Sequence, residues 1–163
     1  MARSAVNYTY DKDTAFVAPG SAAITADAVV NAASLAGGAY ATATGLDLAT
    51  LDKLVNVRDG DQKNLLGAQG YDIVVVVSAA KVSVADEAYT FNVYVGGAGD
   101  GASGTLVGSL VFAAGTAAPG QYVISLDAAT IENLDADREE MALQVDVTGT
   151  APSITFSAWL NLS

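Results

Sequence analysis

The chain has 163 residues, with 18 acidic side chains against seven basic ones and a net charge of −11. That balance repels phosphate backbones and offers no basic patch, which excludes nucleic acid as a partner. With neither cysteine nor histidine, the chain has no disulfide, no thiolate or imidazole metal ligand, no thiolate nucleophile and no imidazole base.

The length suits one domain with a continuous apolar core. Hydrophobic residues make up 52% of the chain, and much of that share is alanine and valine, which favours sheet faces over a helical core. The longest apolar run, residues 73–77, falls far short of the roughly 20 residues that cross a bilayer. The opening eight residues lack the apolar stretch of a secretion signal. Neither a membrane partner nor a signal peptide is expected.

Residues 1–45 are rich in Ala, Thr, Ser and Gly, with isolated Tyr8, Tyr10, Phe16 and Ile24. They read as an extended N-terminal arm with one or two short strands, preceding a β-sandwich domain over residues 46–163. Residues 46–57 fit either a short helix or a strand entering the Asp59-Gly60 turn. Residues 71–77 form an unbroken β-branched run, the mark of a central strand buried on both faces. Residues 89–95 alternate, with Tyr89, Phe91, Val93 and Val95 on one face. Residues 105–112 and 121–126 follow as strands, with Pro119-Gly120 as the turn between them. Asp127 is placed to cap a short helix through Ile131 and Leu134. Leu143, Val145 and Val147 then alternate with polar neighbours. In the last strand Ile154, Phe156, Ala158, Leu160 and Leu162 alternate with Ser153, Thr155, Ser157, Trp159 and Asn161. The pattern predicts an all-β, antiparallel β-sandwich, jelly-roll-like in arrangement, with an immunoglobulin-like sandwich as the alternative because periodicity leaves strand order open.

The stretch Gly99-Asp-Gly-Ala-Ser-Gly104 matches the G-x-G-x-x-G dinucleotide fingerprint. That fingerprint needs a helix after the loop, whose N-terminal amides hold the pyrophosphate. Here Thr-Leu-Val-Gly-Ser-Leu-Val-Phe follows, which is strand-like, so the stretch reads as a loop between strands. The acidic clusters at residues 11–13, 59–61 and 135–140 fail the calcium-loop count, since counting from Asp59 puts Lys63 fifth and Gly70 twelfth. Solvated turn carboxylates explain them better, and no metal or cofactor is expected. A carboxylate pair for glycoside hydrolysis is defined by separation in space, and a Ser-His-Asp arrangement is impossible without histidine. The protein is expected not to be an enzyme. By alternation Trp159 and Tyr94 fall on the polar-facing sides of their strands, as contact anchors for a partner or as surfaces that the N-terminal arm covers.

The closing segment, Met141-Ala-Leu-Gln-Val-Asp-Val-Thr-Gly-Thr-Ala-Pro-Ser-Ile-Thr-Phe-Ser-Ala-Trp-Leu, resembles the C-terminal hairpin of small tailed-bacteriophage capsid decoration, or cement, proteins. Upstream, Ala118-Pro-Gly-Gln-Tyr-Val-Ile-Ser-Leu followed by a short acidic helical turn resembles their order of proline-glycine turn, strand, small helix and strand. The likeness covers the last 50 residues or so, the central strand loosely, and the N-terminal arm hardly at all. It implies a jelly-roll domain on the outer surface of a virion, made in the host cytoplasm, that binds the major capsid protein and stabilises contacts between shell subunits, as a homodimer or homotrimer. On that reading Arg3, Tyr8, Tyr10 and Phe16 of the arm, with Trp159, are the residues expected to contact the shell. The alternative is a glycan- or receptor-binding sandwich in which Trp159, Tyr94 or Tyr71 stacks on sugar rings.

Overall fold

The computed structural model describes residues 10, 15–30, 46–47, 70–96, 104–134 and 140–162. They form nine strands and one short helix: β1 (Ala15–Val17), β2 (Ala28–Val30), β3 (Leu46–Asp47), β4 (Gly70–Ala80), β5 (Ala88–Gly96), β6 (Thr105–Phe112), β7 (Gly120–Asp127), α1 (Ala128–Leu134), β8 (Glu140–Thr148) and β9 (Ile154–Leu162). Apart from the two-residue β3, the strands lie where valine, isoleucine, threonine and aromatic residues concentrate, because branched and ring side chains pack well on a pleated surface. Asp127 caps α1 as its position predicts, accepting the Ala129 N–H at 2.8 Å.

All strand pairings are antiparallel. One sheet runs β1-β9-β4-β7 and the other β2-β8-β5-β6, with β3 alongside β2 on the free side of β8. Leaving out the two-residue β3, β1 and β2, β4 and β5, β6 and β7, and β8 and β9 each divide between the sheets, which is the strand order of a jelly roll. The sandwich is thus all-β, and the immunoglobulin-like order does not occur.

Two sequence expectations change. The N-terminal third is no separate arm over residues 15–30, since β1 pairs with β9 and β2 with β8, and Phe16, Val17 and Ile24 lie in the core. Nor do β8 and β9 form a hairpin. They belong to opposite sheets, and residues 149–153 carry the chain across the sandwich. A five-residue connection joins paired strands or crosses between sheets equally well, so its length did not decide between them.

The core lies between the sheets, with Tyr71, Ile73, Val75 and Val77 of β4 facing Phe91, Val93 and Val95 of β5 and Leu143 and Val145 of β8. A run of edge-on aromatic contacts ties the layers together: Phe91 to Phe156 at 4.8 Å, Phe91 to Phe112 at 6.1 Å and Phe112 to Tyr122 at 4.8 Å between ring centroids. Such pairs contribute about 0.5–1.5 kcal/mol each beyond area burial.

At one end of the sandwich, four connections meet. The Tyr89 hydroxyl donates to the Lys81 carbonyl at 2.6 Å and accepts the Ser153 N–H at 3.0 Å. Lys81 N–H reaches the Ser153 carbonyl, Gly115 N–H reaches the Glu87 carbonyl, and Ile24 bridges to Ile154. Gly149 is required at this junction. Its φ is +118°, and a Cβ there would lie 2.7 Å from the Glu87 Cα, a conformation and a contact that side-chain-bearing residues do not tolerate.

Candidate contact surfaces

The two sheets present unlike outer faces. On the β1-β9-β4-β7 sheet, registration sets Ala15 beside Trp159, Trp159 beside Val74 and Val74 beside Val123, an apolar row across all four strands. Ala15 and Val74 are fully buried and Trp159 is 4% exposed. The half-buried Tyr10 meets Trp159 edge-on, with ring centroids 5.6 Å apart and planes at 82°. The Trp159 Nε1 is buried and has no hydrogen-bond partner among the described residues.

On the other sheet the outward side chains of β6, β5 and β8 form a polar network. The Ser109 hydroxyl donates to Asn92 Oδ1 at 2.7 Å, Asn92 Nδ2 donates to Asp146 Oδ2 at 2.8 Å, and Gln144 Nε2 donates to Asp146 Oδ1 at 2.6 Å. Asn92, although 8% exposed, is therefore bonded at both ends of its amide, as a buried polar group must be.

Of the residues expected to contact a partner, the described ones, Tyr10, Phe16 and Trp159, do not form one exposed patch. Arg3 and Tyr8 lie outside the described residues. Phe16 is wholly buried between the sheets, because β1 is a strand of the sandwich and its middle residue points inward. Trp159 does lie on the outward face of β9, as alternation predicts, but it is covered within the chain, in part by Tyr10. Tyr71 is 1% exposed, so of the three aromatics proposed to stack on sugars, Tyr94 alone is not fully buried.

Several of the described carboxylates accept hydrogen bonds from the chain itself. Asp27 accepts the Val147 N–H, Asp72 the Ser125 hydroxyl, Asp86 the Thr150 hydroxyl and Glu87 the Val84 N–H. The second oxygen of Glu87 is buried and has no hydrogen-bond partner among the described residues. Among the described residues no three acidic side chains gather as metal ligands, and no helix is long and apolar enough to cross a membrane. The acidic clusters at residues 11–13, 59–61 and 135–139 lie outside the described residues. So does most of the glycine-rich stretch, but β5 and β6, which flank it, pair as antiparallel neighbours, and the element after Gly104 is a strand. A Cβ on Gly104 would collide with the Val95 carbonyl oxygen, so close approach of these strands accounts for that glycine. The nucleotide-binding context, a helix opening at the loop, is not there.

Sequence reasoning missed the network around Asp146, since Ser109, Asn92 and Gln144 are unremarkable singly and only register sets them in line. Comparisons with family models, with curated proteins and with solved structures gave no match to this chain.

Proposed function

We propose that the protein is a structural, non-enzymatic module that binds the outer surface of a phage capsid through the major capsid protein and stabilises contacts between shell subunits. The observation that carries this reading is the element order over the segment with the family resemblance: the Pro119-Gly120 turn, β7, the small helix α1, β8, a turn and β9. A second support is chemical. Several of the described carboxylates are spent on hydrogen bonds within the chain, and the −11 charge suits a surface displayed in many copies facing solvent. Many such copies on one lattice act together, so each contact can be weak.

The part of the N-terminal segment assigned to the shell is the stretch before Ala15, with Arg3 and Tyr8, because residues 15–30 already belong to the sheets. Pairing of that stretch with a partner's sheet edge through main-chain hydrogen bonds needs little side-chain specificity. The test is co-sedimentation of the protein with expanded, undecorated heads of the source phage. The expected result is saturable binding at a fixed ratio to shell subunits, with heads surviving to higher temperature, and loss of both on deleting residues 1–9, which leaves β1 and Phe16 in place. Absence of binding by the intact chain overturns the proposal.

A further inference from the structure

The charge of this chain is unevenly placed. Between residues 88 and 126 the only charged side chain is Asp100, although the chain holds 18 acidic and seven basic residues. That stretch supplies β5, β6 and β7, and among the described strands β6 closes one sheet and β7 the other. One flank of the sandwich thus combines both sheet edges with a nearly uncharged sequence.

β6 lacks most of the devices that keep an edge strand from pairing, which are charge, proline and irregularity. Its sequence, TLVGSLVF, has no charge and no proline. A bulge interrupts its pairing with β5 at Val107, where Val93 pairs with Gly108 and Tyr94 with Leu106. Beyond it, the five residues from Gly108 to Phe112 pair without interruption. The bulge also turns Leu106 to the same outward face as Ser109 and Val111. Leu106 and Val111 are 49% and 64% exposed.

We infer that this edge pairs with β6 of a second copy of the chain, antiparallel about a two-fold axis, joining two sheets into one. Charge selects the occupant. A basic partner would be drawn to the acidic surface, whereas a second copy itself carries −11 and can come close only where neither copy presents charge. The interface is then self-complementary, as a two-fold contact requires. Side chains alternate between faces, so the pairing that uses the whole regular stretch sets Leu110 opposite itself and Val111 opposite Ser109 of the second copy. This inference does not depend on capsid binding.

The test is sedimentation equilibrium on the full chain and on Val111→Lys. The expected result is a dimer whose dissociation constant rises about tenfold or more with the lysine, while the melting temperature at dilutions where both chains are monomeric stays unchanged, because the replaced side chain is exposed in the single chain. A chain that stays monomeric at high micromolar concentration, or a dimer indifferent to Val111→Lys, overturns the inference. Register is tested separately by mixing Ser109→Cys and Val111→Cys copies under mild oxidation. The chain has no other cysteine, so a mixed 109–111 disulfide supports the pairing, and its failure to form in a mixture that still dimerises overturns this register.

Discussion

The outer faces of the two sheets meet the same problem, a strand surface turned away from the core, in opposite ways. The β6-β5-β8 face fills it with polar side chains that satisfy one another, Ser109 to Asn92 to Asp146 and Gln144 to Asp146. The β1-β9-β4 face fills it with Ala15, Trp159 and Val74, which water would penalise, and lays Tyr10 against them. The first face is complete within its own sheet. The second depends on a residue that precedes the first strand, so its integrity is tied to the N-terminal segment.

The comparison breaks most sharply at Trp159. Trp159→Ala removes the largest side chain of the apolar row and leaves a cavity beside Val74 and Ala15. We expect a loss of about 3–5 kcal/mol in unfolding free energy, read by urea denaturation. Trp159→Phe sharpens the point. The indole N–H has no partner among the described residues, so this change is expected to cost only the missing volume, about 1–1.5 kcal/mol. A cost equal to that of alanine would mean that the N–H is bonded after all.

On the polar face the corresponding change is Asp146→Ala. It strands Asn92 Nδ2 and Gln144 Nε2 together, and leaving such donors unpaired costs about 1–3 kcal/mol. Smaller again is Tyr10→Ala, which removes one edge-on aromatic contact of about 0.5–1.5 kcal/mol. Its second readout is specific. Trp159 is the only tryptophan, so uncovering it should shift its emission to longer wavelength and raise its quenching by acrylamide, with no such change for Asp146→Ala.

The central strands were legible because their side chains satisfy one local rule: β4 as an unbroken valine run, and β5, β8 and β9 by alternation. The helix cap was legible at Asp127 for the same reason, since the bond to Ala129 spans two residues. What escaped is non-local. β1 and β2 are three residues each, too short for a period, and only their pairing with β9 and β8 makes them strands. Strand order depends on which sheet each connection crosses to, and the connections carry no signature of that. The bulge at Val107 defeats alternation, putting Leu106 and Val111 on one face although their spacing is odd. Alternation gave the face of Trp159 correctly but left open whether a partner or the chain's own N-terminal segment lies on it, and the contact with Tyr10 decides for the chain itself.

The smallest expected effect lies at Ser109, where the two outer faces can be compared at their margins. Its hydroxyl donates to Asn92 Oδ1, and Ser109→Ala leaves that oxygen with no hydroxyl to accept from. Ser109 itself is exposed and sits on the edge strand, so water can replace the lost donor, which limits the cost to about 0.5 kcal/mol. Asn92 and Asp146 remain joined, and the network shortens from the edge inward without failing. On the opposite sheet the margin behaves differently, because Ala15 is an edge-strand residue that is fully buried, and water offers an apolar row no such replacement. Ala15→Ser, which adds a hydroxyl without a designed partner, should therefore cost more than Ser109→Ala takes away, about 1–2 kcal/mol. Paired thermal melts of the two variants decide it. Equal shifts would mean that Ala15 is hydrated and that the apolar face is no more dependent on its cover than the polar one.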